Sequence, residues 1–450
     1  MKRQFTDATA PAQERNSVMK AMAGTRRWWA LLLALGIVLG MSIPRAIADP
    51  AAAVTPEFGM VCSTGPEFSL RATSGYISTP DGNSVYMWSY ADGAGAFQYP
   101  GPVLCVNQGD TVTVHLTNDL PEAVSILFPG QRGVEADEGA GFQLAQPQFD
   151  GGGTLTSLTN VAPAGGSVTY RFVAGEPGTY IYESGTAPHK QVQMGLVGAL
   201  VVRPSLGANY AYNDPSTQFD PGREFLLLFH EIDNELHRAV ELGQPYDVTQ
   251  LHFHYFTING RSLPDTVAPN AAPWLPSQPY GALVRVEPFD AVGNPLPALV
   301  RMANPGMANH PFHPHANHVR VIAQDGRLLK GPSGEDLSFE QFTRTAGSGQ
   351  TFDALFKWTD VEGWDPSLNP VPVQIPGLQN LVFMGGATFY SGSPYLGYQG
   401  PLPVGVTSYN QCGEEYFPWH SHALNEFQNF DEGFGGMGTL LRVDPPGGCP

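Results

Sequence analysis

Gly178-Thr179-Tyr180-Ile181-Tyr182-Glu183-Ser184-Gly185, running on to Gly198-Ala199-Leu200-Val201-Val202-Arg203-Pro204, has a second copy late in the chain. The copy reads Glu415-Tyr416-Phe417-Pro418-Trp419-His420-Ser421-His422, followed by Gly438-Thr439-Leu440-Leu441-Arg442-Val443-Asp444-Pro445. An earlier pair agrees with it: Val114-His115-Leu116-Thr117-Asn118 is echoed by Val300-Arg301-Met302-Ala303-Asn304, each a strand leading into a loop. Self-similarity in this order implies two copies of one unit. The runs are rich in Val, Thr, Tyr and Phe and are separated by Gly, Pro, Asn and Asp, as at 111–116, 167–172 and 196–202. Long stretches of helical period are scarce. The pattern predicts an all-β fold, two sandwiches or Greek-key barrels with little helix. Breakers between Pro204 and Pro221 place the boundary there, giving domains 55–205 and 222–445, the second enlarged by a Gly- and Pro-rich insertion within 325–412.

Working outward, the chain has 450 residues, of which 14% are charged, with a net charge of −18. Its 52 glycines and 41 prolines follow no Gly-x-y period. These values exclude collagen, coiled coil and charge-driven disorder. The acidic balance leaves no basic surface to neutralise phosphates, so nucleic acid is not expected as a partner.

The apolar stretch from Trp28 to Ile43 follows Arg26-Arg27 and ends in Pro44-Arg45-Ala46-Ile47-Ala48. This is the layout of an export signal, residues 1–48, cleaved after Ala48. Thr25-Arg26-Arg27 and the long leading region point to twin-arginine export, with an ordinary secretory signal or an uncleaved anchor as alternatives. The expected destination is periplasmic or extracellular. Beyond residue 48 no apolar run approaches the roughly 18 residues of a membrane span. Cys62, Cys105, Cys412 and Cys449 in an oxidising compartment read as two disulfides, with all three pairings open.

Five of the 12 histidines fall in two clusters, His310-Pro311-Phe312-His313-Pro314-His315 and His420-Ser421-His422. Strand side chains alternate faces, so His313 and His315 point one way, as do His420 and His422, while His310 and Ser421 point the other. If the two strands are neighbours, four imidazoles converge, a donor set suited to copper or zinc.

At these residues the chain resembles the multicopper oxidases, whose pattern is a pair of early His-x-His motifs, then His-Pro-x-His-x-His, then His-Cys-His. Gly101-Pro102-Val103-Leu104, Gln108-Gly109-Asp110-Thr111-Val112 and Leu116-Thr117-Asn118-Asp119-Leu120-Pro121 look like that family's first domain, as does Pro177-Gly178-Thr179-Tyr180. The fold this implies is the cupredoxin β-barrel, repeated.

The departures bear on the chemistry. In the slots of the first His-x-His stand Leu127 and Pro129, and in those of the second Glu183 and Gly185. By this resemblance half of the trinuclear-site histidines are absent. At the blue type 1 site His310 remains, but Ser421 replaces the cysteine and Glu426 the second histidine, and a hydroxyl is no substitute for the soft thiolate of a His₂Cys set. Met437 lies several residues beyond the expected axial methionine and reads as packing.

The resemblance thus implies a copper centre, about one ion per chain and zinc remaining open, with His313, His315, His420 and His422 as its ligands, Glu183 facing them and His310 a further candidate metal ligand. His189 is an outside candidate. His252 and His254, on an expected strand over 251–258, match no family motif and read as a strand face. Two-domain relatives place the metal site between neighbouring chains, which implies a homotrimer. Three readings stay open: an exported, non-blue copper-binding protein, a metal-free structural or interaction module, and an oxidoreductase with an unusual copper site. The sequence names no small-molecule substrate.

Overall fold

The computed structural model describes residues 55–360, 414–430 and 432–448. The expected export signal, Cys412, Cys449 and much of the insertion lie outside them. Among the described residues strands dominate, and the only α-helices are Pro188–Gln191 and Asn234–Glu241. The fold is all-β, as the residue pattern predicts. The second helix starts where Asp233 caps it, its side chain accepting from the backbone N–H of Glu235 and Leu236.

Alternation builds the sheets. Strands Thr111–Asn118 and Ser167–Val173 run antiparallel, pairing Val112 with Phe172, Val114 with Tyr170 and Leu116 with Val168 on the buried face. Their sheet has the order Ser84–Asp92, Glu67–Ser78, Thr111–Asn118, Ser167–Val173, Glu135–Asp137, Gln143–Leu144. A second sheet orders Ser63–Thr64, Leu104–Asn107, Val197–Arg203 and Gly178–Glu183. Both contribute to one core containing Trp88, Val114, Tyr170, Leu104 and Leu200.

A second sandwich repeats the scheme. One sheet carries Tyr255–Ile258, Glu224–Ile232, Ala298–Asn304, Gln350–Phe356, Val319–Gln324 and Arg327–Leu328. The other carries Val284–Val286, Gly438–Val443, Glu415–Ser421, His310–Pro314 and Arg344–Ala346. Phe229, Val300, Phe312, Trp419 and Leu441 fill the space between. The sequence echo has a structural meaning: Asn118 and Asn304 do the same work at the same place. Asn118 donates through Nδ2 to Glu122 O at 2.8 Å and Ala162 O at 3.0 Å, and accepts from Leu120 N. Asn304 donates to Ala308 O and Ala346 O, both at 2.8 Å, and accepts from Gly306 N.

Strands Val197–Arg203 and Glu224–Ile232 are buried on both faces because the two sandwiches meet along them. Val103, Ala199 and Val201 pack there against Leu226 and Leu228. The seam also encloses charge. Arg301 donates to Glu224 Oε1 at 2.7 Å, to Thr179 Oγ1 at 2.9 Å and to Asp353, while Arg203 donates to the same Glu224 oxygen. A Cys62–Cys105 disulfide, with Cα atoms 5.6 Å apart, selects one pairing for these two cysteines.

Candidate metal centre

The strands His310–Pro314 and Glu415–Ser421 are antiparallel neighbours, with His313 directly across from His420 and Phe312 across from Ser421. Two further bonds extend the ladder beyond the strands: His315 N donates to Pro418 O, and His422 N to Pro311 O. Alternation buries His310 and Phe312 in the sandwich and leaves His313 on the opposite face. Ring centroids lie 4.7 Å apart for His313 and His315, 5.0 Å for His313 and His422, 5.6 Å for His313 and His420, and 5.2 Å for His315 and His420.

The hydrogen bonds decide which nitrogens are free. His313 Nδ1 lies 2.7 Å from Phe342 O, and His420 Nδ1 lies 2.7 Å from Ser421 O. A carbonyl only accepts, so both Nδ1 atoms carry the proton and both Nε2 atoms present a lone pair. His315 Nε2 and His420 Nε2 stand 3.2 Å apart. Metal–nitrogen bonds of about 2.0–2.1 Å at a near-tetrahedral angle span such a distance. Burial, and after it the neighbouring imidazoles, pushes His315 down to about 4. Burial likewise lowers His313 and His420 against the bonds that their Nδ1 protons make. Neutral imidazole is the ligating form, so the donor set suits copper. Among the described residues no three His, Cys, Asp or Glu donors converge on one point as they stand.

The position that the family resemblance assigns to blue copper holds something else. His310 is fully buried, with Nε2 3.0 Å from Glu231 Oε2 and Nδ1 2.9 Å from Glu426 Oε2. Burial alone would lower its pKa, but the two carboxylates override burial and raise it to about 9. Ser421 Oγ donates to the same Glu426 oxygen at 2.5 Å. Met437 is fully buried in the apolar core. With both ring nitrogens engaged and no thiolate present, this arrangement does not fit a copper ion. His310 therefore stays apart from the other four histidines. Glu231 was not singled out by sequence reasoning. The one signal that could have found it is a carboxylate inside the apolar strand Glu224–Ile232.

On the first sandwich, Leu127 and Glu183 exchange backbone hydrogen bonds, and a side chain at Gly185 would collide with Leu127, whose Cγ lies 2.8 Å from an added Cβ. Apolar contact thus fills those slots. Glu183 is raised to about 7 by burial alone, with no histidine contributing. The structure does not bring it to the four imidazoles of its own chain. His189 is exposed on the turn Pro188–Gln191. His252 and His254 lie ahead of their strand, which begins at Tyr255 and not at 251, because Asp233 takes the His252 N–H before pairing starts. Their rings are 4.5 Å apart.

The sequence profile described as multicopper oxidase matches residues 73–206. A rice protein, Laccase-25 of Oryza sativa subsp. japonica, is 27% identical over 434 residues, covering 94% of this chain and 61% of that laccase. Laccase-1 of Cryptococcus neoformans is 25% identical over 71% of this chain and 48% of its own length. An L-ascorbate oxidase of Brassica rapa subsp. pekinensis is 34% identical over 106 residues, 23% of this chain. The chain thus spans about three fifths or less of the curated laccases it matches. Among solved structures, the blue copper oxidase from Nitrosomonas europaea superposes with a TM-score of 0.53 at 17% identity, covering 84% of this chain and 85% of that one. The multicopper oxidase mgLAC also gives a TM-score of 0.53, at 17% identity over 85% of this chain and 87% of its own. At these identities the structural likeness speaks to the fold.

Proposed function

The chain belongs to the cupredoxin/multicopper oxidase superfamily, and on that premise we propose that it is an exported copper-binding protein with a single non-blue centre and no classical blue-copper oxidase activity. Its two domains, 55–205 and 222–445, divide the work, the second supplying His313, His315, His420 and His422. The observation that carries this reading is the pair of Nε2 atoms 3.2 Å apart in lowered-pKa imidazoles on adjacent strands. Bound there, copper supplies a Lewis-acidic, one-electron redox centre. His310, held between Glu231 and Glu426, contributes a fixed charge in place of a second copper. Glu183 is read as facing the histidines of a neighbouring copy, since burial alone raises it and no histidine of the described residues contributes to its shift.

The test is copper loading of the purified exported chain, read by metal analysis and electron paramagnetic resonance. The expected result is about one Cu(II) per chain, preferred over other divalent ions, without an intense blue band. Replacing His313 and His422 together by Ala should abolish that binding and leave the β-sheet signal unchanged. Unchanged stoichiometry in the double variant would move the metal elsewhere, and a blue band would overturn the non-blue assignment. A second reading, the metal-free structural module, is favoured by one observation: as they stand, the described donors do not converge in threes. Absence of copper uptake by the unmutated chain would select it.

A further inference from the structure

Away from the histidines, a cleft of about 320 Å³ opens between the hairpin formed by Glu67–Ser78 and Ser84–Asp92 and the helix Asn234–Glu241, with Phe430 on its wall. That volume is at the lower end of the range for small-ligand pockets. None of the four clustered histidines lines it.

Its rings are held in place before any ligand arrives. Tyr76 and Phe430 are about half exposed, at 52% and 43%. Tyr86 meets Tyr76 edge-on at 5.6 Å, and Tyr76 OH donates to Glu241 Oε1 at 2.5 Å. Phe430 stacks on His254 at 4.9 Å and sits at a φ of +54°, a costly conformation for an aromatic residue. Backbone strain of this kind concentrates where a binding surface is shaped.

The polar groups narrow the ligand further. Arg238 pairs with Glu241 at 3.2 Å, so the helix side of the cleft carries no net charge. An anionic ligand would meet Glu241 and a cationic one Arg238. Asn83 Nδ2 already donates to Asp81 and Tyr255, and Arg238 to Glu241, so the polar group that a wholly apolar ligand would leave unpaired is the Asn234 amide. The Asn234 Oδ1 atom already lacks a partner, and a turn of that amide toward a ligand hydroxyl would satisfy it. A phenol brings one hydroxyl to this rim. A pyranose brings several, together with an apolar C–H face that suits Tyr76 and Phe430. We propose that this cleft is a binding site for a neutral saccharide, independent of the metal centre.

The test is titration of the exported full chain with cellotetraose by calorimetry and saturation-transfer NMR. The expected Kd is about 1 mM or tighter. Tyr76→Ala and Phe430→Ala should each weaken it about tenfold. Arg238→Gln, on the exposed face of the helix, should weaken it as well without touching the core. Melting temperature and copper stoichiometry should be those of the parent in all three, and the His313→Ala/His422→Ala variant should bind the sugar normally. No binding at about 10 mM, well above that expected Kd, would overturn the proposal. So would full affinity in the three cleft variants. Tighter binding of trigalacturonate than of cellotetraose would overturn the assignment to a neutral ligand.

Discussion

Between Glu231 and Glu426, His310 is an imidazolium at neutral pH, and although burial opposes it, the bond from His310 helps to hold the Glu231 carboxyl below its ordinary range. Removing one member of such a buried group leaves charge uncompensated, at a cost of about 3–5 kcal/mol. His310→Gln should therefore destabilise the chain by about that amount in urea denaturation at pH 6. The pH dependence has a definite sign. The folded pKa is raised from 6.5 to about 9, so the stabilisation is fully present below about pH 6.5 and is lost as pH rises through about 9. On the order of 3 kcal/mol should disappear over that window in the parent, and the decline should flatten in His310→Gln. A parent whose stability is level from pH 6.5 to 9.5 would show that the ring is neutral. The histidines across the strand behave oppositely. His315, His313 and His420 are held neutral by burial, and the same two strands thus carry a cation on one face and lone pairs on the other.

At the scale of the element, the alternation that separates those faces is a property of any strand, and it made the pairing of His313 with His315 and of His420 with His422 readable in advance. What the strands do not carry in themselves is their neighbours. His313 meets His420 only because the two strands are hydrogen-bonded in that register. A shift by one residue would exchange the imidazole face for the buried one. The short strand Ser63–Thr64 offers a second example. Two residues pair in parallel with Leu104 and Cys105, too few to hold an edge alone, and the Cys62–Cys105 disulfide fastens them across a separation of 43 residues. The loop-entropy relation assigns a bridge of that span about 4 kcal/mol. Cys62→Ser/Cys105→Ser should lower the stability by up to that amount, measured by thermal unfolding, and should leave copper uptake unchanged. A loss of copper binding would mean that the edge strand supports the metal-bearing sheet.

For the whole molecule, the seam between the sandwiches joins apolar contact with a buried charge group, Arg301 with Glu224, Asp353 and Arg203. Such a group tolerates little sliding, because each charge is satisfied only by partners on other strands. Among the described residues Glu183, on the first sandwich, forms no three-donor group with the histidines on the second. If Glu183 completes a centre, a second copy must bring it there. The homotrimer we propose predicts a mass of three chains by light scattering at micromolar concentration. A monomer under those conditions would remove Glu183 from the centre.

Local physics made much of this legible in the sequence. The strands at 111–118, 167–173 and 197–203 follow from β-branched and aromatic runs between breakers. The repeat follows from residues with one structural task, as Asn118 and Asn304 show by making the same hydrogen bonds at two loop mouths. The absence of a thiolate at Ser421 was decided by composition alone. The partners were settled by packing over long separations. Glu231 and Glu426 lie 79 and 116 residues from His310, and no periodicity connects them. The disulfide pairing and the cleft beside the helix have the same origin. Backbone preference acts over a few residues, whereas charge and shape complementarity act between whichever surfaces the sheets bring into contact.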